Sequence, residues 1–564
     1  MRYTPVSLTI SLAIVAAPLS VHAWQNNGVP VTTAPGNQSS VVIAPGLASD
    51  AIIAWVDGWD NPAGSDIYAQ RVDASGIAQW TAGGVPICTA IREQREVQIM
   101  ADGTGGAILV WRDIRTGLEY DIYAQRVDAS GNALWGTNGR LVYSAPGFRQ
   151  NASVFPDGQG GAIVLWEDGA RDGILAQRLD ASGALLWNAN AVEVNTTPNS
   201  TQYAPRGASD GAGGAIITWA DDRNYPDWSV YVQRVDATGL RLWAADGINA
   251  CAAAGSENVP EIVPDGNGGA VMVFWSASGL SAQRVDGSGS LLWTANGRPV
   301  CTVPGGKSNQ RIVPGSNGSS IIVWNDGRSG LNSYELYAQR LDASGNMLWA
   351  LAGVSVCSAW NSQPLWPLMA ADGNGGALVT WHDYRALPAG TRVDVYAQRV
   401  DAAGNALWTP NGVPICIAPD DQNLTAVAAD GTGGGIIAWE DPRDRAVTKF
   451  DIYAQRISSG GEIPTSVRSG RVPRFAVGSV HPNPSGGKAI VELELASDSQ
   501  VRTELVDVAG RQVGASVVRS LGKGMHALDV NASSVDGRRL PSGVYFFRVH
   551  VAGETIARKI VIAR

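Results

Sequence analysis

Four tryptophans that fall outside a sequence repeat are the side chains best suited to bind a ligand. The chain has 20 Trp, of which sixteen recur at two fixed repeat positions. The other four are Trp59, Trp228, Trp360 and Trp366. Exposed indole rings gathered on one surface can stack on sugar rings or anchor a protein partner. The alternative is that each ring packs over a neighbouring loop, and the sequence leaves both interpretations open.

Residues for catalysis or metal binding are harder to find. The five histidines are His22, His382, His481, His526 and His550. Because only His382 lies within the repeats, no histidine-based triad or metal site can be assembled there. The 51 acidic residues could include a glycosidase pair, but no pair stands out from the others. Catalytic residues therefore remain unknown, and neither a metal site nor a cofactor is predicted.

An aspartate two residues after a repeat tryptophan recurs in seven repeats and is often followed by arginine. These Trp-x-Asp aspartates are Asp57, Asp113, Asp168, Asp221, Asp326, Asp383 and Asp441. The simplest interpretation is a turn hydrogen bond and an ion pair within one hairpin. Calcium binding stays open as an alternative, since carboxylate oxygens suit hard cations, although the sequence contains no complete ligand loop.

The five cysteines share one repeat position, at the end of the fourth predicted strand. They are Cys88, Cys251, Cys301, Cys357 and Cys416. Equivalent positions in neighbouring repeats lie too far apart for a disulfide, whose Cα atoms must approach within about 7 Å. We therefore expect buried thiols that act as small apolar side chains.

One unit of about 55 residues recurs along the chain, and its typical form is DGTGGAILVWRD followed by DIYAQRVDASGNALW. Its Gln-Arg pair marks eight copies, with glutamines at Gln70, Gln125, Gln177, Gln233, Gln283, Gln339, Gln398 and Gln455. Runs of β-branched and aromatic residues between Gly, Asp and Ser clusters predict four strands per copy. DGxGG and DASG are predicted to be the tight turns between them. Such repeats predict the blades of an eight-bladed β-propeller.

The repeat tryptophans also indicate how the ring closes. One set is expected to end the second strand of each blade: Trp55, Trp111, Trp166, Trp219, Trp275, Trp324, Trp381 and Trp439. A second set opens the fourth strand in seven copies: Trp80, Trp135, Trp187, Trp243, Trp293, Trp349 and Trp408. The eighth copy lacks this tryptophan, but WQNNGVPV at 24–31 matches WTPNGVPI at 408–415. The first strand is therefore predicted to complete the last blade and leave no open edge.

The N-terminus has the pattern of a secretory signal peptide. Arg2 precedes an apolar run, and Val21 and Ala23 stand at the −3 and −1 positions of a predicted cleavage site. That run is short for a membrane span, and no other stretch reaches the required 20 or so apolar residues. The net charge of −9 and the lack of a basic run argue against a nucleic-acid partner. We expect an exported mature chain without a transmembrane segment.

After Gly461 the repeat stops, and the C-terminal region contains PNP at 482–484, DVAGR at 507–511 and LPSGVY at 540–545. Short alternating strands around these motifs predict a small β-sandwich. The motifs resemble those of type IX secretion system sorting domains and of related FlgD-like Ig modules, over roughly the last 85 residues. This resemblance implies delivery across the outer membrane through the secretion machinery. A structural sandwich without a sorting role is the alternative.

The repeats resemble eight-bladed β-propellers in general. DASGxxLW is similar to the tryptophan-docking motif of eight-bladed quinoprotein dehydrogenases, and this likeness bears on the number of blades rather than on redox chemistry. The predicted organisation is an all-β chain with a signal peptide at 1–23 and an eight-bladed β-propeller at 24–461, closed by the N-terminal strand. A linker at 462–477 and an Ig-like sorting domain at 478–564 follow.

The expected function is binding or display at the cell surface, with an extracellular glycan or protein as the ligand. Residues present in every blade are expected to build the scaffold, whereas loops that vary between blades are better candidates for a site. The alternative is a secreted hydrolase or lyase that acts on polysaccharide. Binding without catalysis is preferred, because the sequence singles out no catalytic group.

Overall fold

The structure is a computed structural model that describes most of the chain. The described residues are 24–563, with gaps at 59–60, 62–63, 118, 198–199, 252–254, 278, 331–333, 360–361, 386–392, 445–448, 464–474, 482–484, 486–487, 496, 509–510, 532, 535–536 and 552–553. The predicted signal peptide lies outside these residues. The chain divides into two compact units, Met1–Ser466 and Val467–Arg564. Within the described ranges all the regular elements are strands, and no helix is long and apolar enough to cross a membrane.

The described part of the first unit contains eight four-stranded antiparallel sheets, here called sheets 1 to 8 in chain order. The first strand of the chain, β1 (Val29–Thr32), belongs to sheet 8. Sheet 1 comprises β2 (Gln38–Pro45), β3 (Ala51–Asp57), β4 (Asp66–Val72) and β5 (Val85–Cys88); sheet 2 comprises β6 (Gln94–Ala101), β7 (Ala107–Asp113), β8 (Asp121–Val127) and β9 (Arg140–Tyr143). Sheet 3 comprises β10 (Arg149–Pro156), β11 (Ala162–Asp168), β12 (Gly173–Leu179) and β13 (Val192–Glu193); sheet 4 comprises β14 (Gln202–Ser209), β15 (Ala215–Asn224), β16 (Asp227–Val235) and β17 (Ile248–Asn249).

The remaining sheets of the first unit repeat this order of strands. Sheet 5 comprises β18 (Asn258–Pro264), β19 (Ala270–Ser276), β20 (Gly279–Val285) and β21 (Arg298–Pro299); sheet 6 comprises β22 (Lys307–Pro314), β23 (Ser320–Asp326), β24 (Glu335–Leu341) and β25 (Val354–Cys357). Sheet 7 comprises β26 (Leu365–Ala371), β27 (Ala377–Asp383), β28 (Asp394–Val400) and β29 (Val413–Cys416); sheet 8 comprises β30 (Asn423–Ala429), β31 (Gly435–Asp441) and β32 (Asp451–Ile457), with β1 as its fourth strand.

Burial explains why the second strand of each sheet reads as a continuous apolar run. Every residue of β11 is buried, whereas β10, the first strand of the same sheet, is buried at few positions. A strand covered on both faces needs apolar residues at every position rather than at alternate ones. The second strands therefore form the interior, and the first strands present side chains to open space.

The DGxGG segments are turns, as predicted, and an aspartate organises each of them. In sheet 2 the Asp102 carboxylate accepts hydrogen bonds from the backbone N–H groups of Thr104 and Gly106, both at 2.8 Å. Arg126, of the Gln-Arg pair, forms an ion pair with the same carboxylate at 2.9 Å. A Cβ atom at Gly106 would lie 2.1 Å from the carbonyl oxygen of Val127, so this position requires glycine.

The Trp-x-Asp-x-Arg segments form the hairpin-local ion pairs that the sequence predicts. In sheet 2 the buried Trp111 indole donates to Asp113 at 2.9 Å, and Arg115 pairs with the same carboxylate at 2.5 Å. The guanidinium of Arg115 also lies 3.9 Å above the ring of Tyr123. The aspartate carboxylate is therefore occupied by an indole and a guanidinium of its own sheet. This scaffold role explains why the aspartates recur in most repeats.

Most consecutive sheets are linked by two donors to one carbonyl; between sheets 4 and 5 Arg234 donates to the Gly287 carbonyl without the tryptophan. In sheet 2, Arg126 Nη1 and the indole Nε1 of Trp135 donate to the Ala181 carbonyl in the DASG turn of the next repeat, at 3.0 and 3.2 Å. The same tryptophan position precedes the fourth strand rather than opening it, because the fourth strands are short and begin later, as β9 does.

The N-terminal segment supplies the corresponding contacts between sheets 8 and 1. Strand β1 pairs antiparallel with β32, where Val29 lies opposite Ala454. The Trp24 indole donates to the Ala74 carbonyl at 2.9 Å, and Arg456 donates to the same oxygen at 3.1 Å. Trp24 thus makes the contact that Trp135 makes in sheet 2, at a similar separation in sequence, whereas the second donor, Arg456, comes from the last repeat.

One repeat tryptophan was assigned to the wrong position. In sheet 5, Phe274 rather than Trp275 pairs with the third strand at the position of the buried tryptophan, and Phe274 is fully buried. Trp275 lies one residue further on, opposite Asn258, and is partly exposed. Phenylalanine replaces the tryptophan in this copy, so the prediction that Trp275 is a buried scaffold residue is wrong.

The five cysteines are buried as thiols, as expected. Burial raises the pKa of the Cys88 and Cys416 thiols to about 12, so they stay protonated at physiological pH. A nucleophilic cysteine needs a thiolate. These side chains therefore act as small apolar groups between strands.

The second unit contains two antiparallel sheets among its described residues. One has the order β33 (Phe475–His481), β34 (Lys488–Leu495) and β37 (Gly524–Asn531); the other has the order β36 (Val517–Leu521), β35 (Ser499–Asp507), β38 (Gly543–Val551) and β39 (Glu554–Ile562). Both sheets contribute to one hydrophobic core, which includes Val491, Leu493, Phe547, Val549 and Ile560.

Candidate functional site

The first strands of the eight sheets surround two adjoining cavities, which we call the central cavity and the tryptophan cavity. The central cavity has a volume of about 590 Å³ and is lined by residues from seven first strands. The lining comprises Ser40, Val41, Val42, Glu96, Val97, Gln98, Asn151, Ala152, Ser153, Arg206, Glu261, Arg311 and Thr425. The tryptophan cavity, of about 640 Å³, shares Arg311 and Thr425 with it and adds Trp366, Leu368, His382, Asn423 and Glu440.

A bulge in each first strand shapes this lining. In sheet 2 the pairing of β6 with β7 shifts between Arg95 and Gln98, and the same shift recurs at the matching place in every sheet of the first unit. A residue inside the shift has positive φ in seven of the sheets: Ser40, Glu96, Asn151, Ala204, Val259, Asn309 and Trp366. Bulges redirect side chains and are common beside functional sites. At Trp366, with φ of 48°, a bulky residue adopts a conformation that costs free energy.

Three charged side chains on neighbouring first strands meet in the central cavity. Glu261 Oε1 accepts a hydrogen bond from Arg206 Nε at 3.3 Å and another from Arg311 Nη1 at 3.2 Å. The side chains of Arg206 and Arg311 are 36% and 34% exposed. These three residues, here called the Arg-Glu-Arg cluster, occupy one repeat position in sheets 4, 5 and 6, the first paired residue after the bulge.

The other carboxylate of the central cavity is also paired. Glu96 forms an ion pair with Arg112, which follows the repeat tryptophan of sheet 2. The guanidinium of Arg112 lies 4.5 Å from the centre of the Tyr120 ring. Glu96 therefore does not offset the charge of the Arg-Glu-Arg cluster.

Trp366 is the aromatic surface of the tryptophan cavity. Its side chain is 52% exposed, and its ring meets the His382 ring edge to face, with centroids 5.5 Å apart. His382 is 5% exposed, and neither ring nitrogen has a hydrogen-bond partner among the described residues. Burial lowers the pKa of His382 to about 4, so the imidazole is neutral at physiological pH. The cavity thus places a neutral, buried imidazole beside an exposed indole.

Glu440 is a buried carboxyl at the edge of the tryptophan cavity. It is 6% exposed and accepts a hydrogen bond from the backbone N–H of Ser40 in sheet 1, at 2.5 Å. Burial raises the pKa of Glu440 to about 7, while the Ser40 hydrogen bond acts in the opposite direction. Glu440, His382 and Trp275 occupy the same repeat position in sheets 8, 7 and 5, directly after the buried aromatic residue.

The four tryptophans predicted to bind ligand have different positions. Trp366 lines the tryptophan cavity. Trp228 lies on β16 next to its hairpin, is half-buried, and meets the ring of Tyr203 edge to face at 6.3 Å. It is not among the residues that line either cavity. Trp59 and Trp360 lie outside the described residues.

The sequence did not single out the Arg-Glu-Arg cluster or Glu440. A signal was available, because the first paired position after the bulge varies across the sheets: Val42, Gln98, Ser153, Arg206, Glu261, Arg311, Leu368 and Ala426. A position that varies this widely within a regular repeat serves something other than the scaffold. Among the described residues there is no group of three or more His, Cys, Asp and Glu side chains that could hold a metal ion.

The comparison with protein families identifies the C-terminal region. Residues 479–563 match the family described as the secretion system C-terminal sorting domain. The chain therefore belongs to the class of proteins that carry a sorting domain of the type IX secretion system. Such a domain implies an interaction with the secretion machinery. The chain is a secreted protein of the cell surface.

A comparison with curated proteins found no match to the chain. Among solved structures, a mutant of puromycin hydrolase complexed with PGG is 16% identical, with a TM-score of 0.41; the match covers 74% of this chain and 61% of that one. PorZ of Porphyromonas gingivalis, an essential surface component of the type IX secretion system, is 13% identical, with a TM-score of 0.30 and coverage of 93% and 82%. The α-L-arabinanase of Penicillium chrysogenum is 13% identical, with a TM-score of 0.30 and coverage of 56% and 98%. The chain thus spans less than two thirds of the puromycin hydrolase.

Proposed function

We propose that this protein is a cell-surface binding protein, in which the eight sheets are the blades of one closed propeller and the two cavities receive an extracellular glycan. The first strands of all eight sheets contribute to the cavities, which supports a radial arrangement. The shared Ala74 carbonyl between sheets 8 and 1 supports closure by the N-terminal segment.

The proposed organisation keeps a signal peptide at 1–23, a propeller at 24–461, a linker at 462–477 and an Ig-like sorting domain at 478–564. The two sheets with a common core support the sandwich in the last segment. In this proposal the sorting domain delivers the propeller to the surface, and the propeller carries the binding site.

The observation that carries the binding proposal is Trp366. An indole that is 52% exposed, held by a strained backbone on an innermost strand, faces a cavity large enough for sugar rings. The same positive φ recurs at this bulge in other sheets, so sheet 7 is distinguished by the exposed indole that its bulge holds in the cavity. Flat apolar rings with polar neighbours such as Asn423 and Thr425 suit the alternating apolar and hydroxyl faces of a sugar. Trp59, Trp228 and Trp360, the other tryptophans outside the repeat, are proposed as further ligand contacts.

Catalysis is the less favoured alternative, because the carboxylates of the central cavity are engaged. A hydrolase needs two carboxyl groups across the scissile bond, one of them free to act as an acid. Among the described residues that line the cavities, Glu261 is shared by two arginines and Glu96 is paired with Arg112, so Glu440 is left without an ion pair and without a second free carboxyl to act with it. We therefore propose binding without turnover, for glycan or, in second place, for a protein partner.

The test is a glycan array with the purified full chain, run beside a panel of polysaccharide hydrolase and lyase assays. Trp366→Ala is expected to weaken glycan binding by about 1–3 kcal/mol. Phe148→Ala is the matched control, since Phe148 is similarly exposed, at 55%, and does not line either cavity. Turnover of any polysaccharide by the wild-type chain would refute the binding proposal in favour of the enzyme. An array without a single bound glycan would also refute it.

A further inference from the structure

The Arg-Glu-Arg cluster leaves guanidinium edges available to a ligand. Arg311 makes its hydrogen bonds through Nη1, to Glu261 and to the Gln310 carbonyl, so Nη2 and Nε are not used in them. Arg206 uses Nε for Glu261 and Nη1 for the Pro205 carbonyl. Both arginines bind the same oxygen of Glu261. A guanidinium presents five N–H donors in a planar fork that matches an oxyanion, and the bonds described occupy only part of it.

The charge of the cluster favours an anion. Two arginines share one carboxylate, which leaves a net charge of +1 on three side chains in the central cavity. Glu96 does not compensate it, because Arg112 already neutralises that carboxylate. Glu440 shares the tryptophan cavity with Arg311, and it is largely protonated below neutral pH because burial raises its pKa to about 7. The whole chain carries −9, so this cavity is a local positive site on an acidic protein. A concave site with a net positive charge attracts anionic ligands.

Arg311 connects this charge to the aromatic ring. It lines both cavities, and the tryptophan cavity places Trp366 and Leu368 in the same space as Arg311. A ligand that uses both features needs a flat apolar face for the indole and one oxyanion next to it for the guanidinium. It also needs hydroxyl groups for Asn423 and Thr425. A sugar ring with one acidic substituent has this combination.

We propose that the site binds an acidic saccharide, with the ring against Trp366 and its carboxylate or sulfate on the guanidinium edges of Arg311 and Arg206. This inference rests on the proposed function and specifies its ligand class. The two acidic substituents share the oxyanion chemistry that the arginines recognise. An acidic peptide would offer the charge without the sugar hydroxyls, and it is therefore the less favoured ligand.

The experiment measures binding of defined saccharides to the purified full chain by calorimetry. The probes are oligomers of galacturonate, glucuronate and mannuronate, each beside its carboxyl-reduced neutral form, and sulfated oligomers of galactose. At least one acidic oligomer is expected to bind tenfold or more tightly than its neutral form. Arg311→Gln is expected to weaken that binding about tenfold to hundredfold, the range for a lost charged hydrogen bond. The sulfated and uronate arms distinguish the two sources of negative charge.

Arg95→Gln is the matched control. Arg95 is also on a first strand and similarly exposed, but it pairs with Glu93 and does not line the cavities. It is expected to leave binding unchanged. Neutral forms that bind as tightly as the acidic ones, with a response to Trp366→Ala but none to Arg311→Gln, would overturn the acidic ligand and leave glycan binding intact. Binding of a poly-glutamate peptide but of no saccharide would overturn both proposals.

Discussion

Replacing Glu440 by glutamine is expected to stabilise the protein at neutral and basic pH but not at acidic pH. The Glu440 carboxyl is 6% exposed, and its hydrogen bond from Ser40 N–H is the contact that favours its charged form. Glutamine has nearly the same shape and keeps an oxygen that can accept this hydrogen bond. The substitution therefore removes the buried charge and little else.

The magnitude follows from the pKa of Glu440, which burial raises from 4.5 to about 7. A raised pKa means that the folded protein binds this proton more tightly than the unfolded chain does. The contribution of protonation to stability is fully present below pH 4.5 and is lost as the pH rises through about 7. At 1.36 kcal/mol for each tenfold change in affinity, the loss is about 3 kcal/mol. Glu440→Gln should recover about that amount at pH 8.

The assay is urea denaturation of wild type and Glu440→Gln at several pH values between 4 and 8, followed by tryptophan fluorescence. The difference in unfolding free energy should be near zero at pH 4 and grow towards pH 8. Glu96→Gln is the control, because its carboxylate is 46% exposed and paired with Arg112. It should give no comparable gain. A Glu440 variant that is destabilised at pH 8, or equally affected at every pH, would refute the account of this carboxyl.

Three further outcomes are expected. Deletion of Trp24–Val31 should lower the melting temperature by several degrees or more, because it exposes the edge of β32 and removes the Trp24 contact. An unchanged melting temperature would contradict closure of sheet 8 by the N-terminal strand. Trp166→Ala should cost about 3–5 kcal/mol of stability, and Trp366→Ala much less, in thermal unfolding of both variants. A chain that ends before residue 478 should fold its repeats but fail to reach the surface, as cell fractionation would show.

The repeat made much of the scaffold predictable from sequence. The turns of DGxGG and the ion pair of Asp113 with Arg115 depend on residues close together in the chain, and each copy displays the same pattern. The match of residues 24–31 to the segment at Trp408 even indicated the strand that joins sheet 8. The error at Trp275 arose where one copy departs from the pattern, since Phe274 fills the buried position.

The candidate site could not be predicted in the same way. Arg206, Glu261 and Arg311 are each about one repeat apart in sequence and meet only because three first strands lie side by side. The bulge determines which side chains face the cavity, and the residue pattern does not predict a bulge. Trp366 was singled out because it stands outside the repeat, and it lines a cavity; that it binds a ligand stays a prediction.

Variation at a repeat position separates the site from the scaffold more sharply than exposure does. The neighbours of the position after the buried aromatic residue hardly change, but the position itself carries Val56, Arg112, Glu167, Ala220, Trp275, Asn325, His382 or Glu440. A side chain there lies opposite the first strand, next to its bulge, so it can alter a cavity without disturbing the buried second strand. The scaffold tolerates an unpaired imidazole and a buried carboxyl at this position, and each of them lowers stability. That such groups reduce stability yet line a cavity beside Trp366 supports the proposed ligand binding.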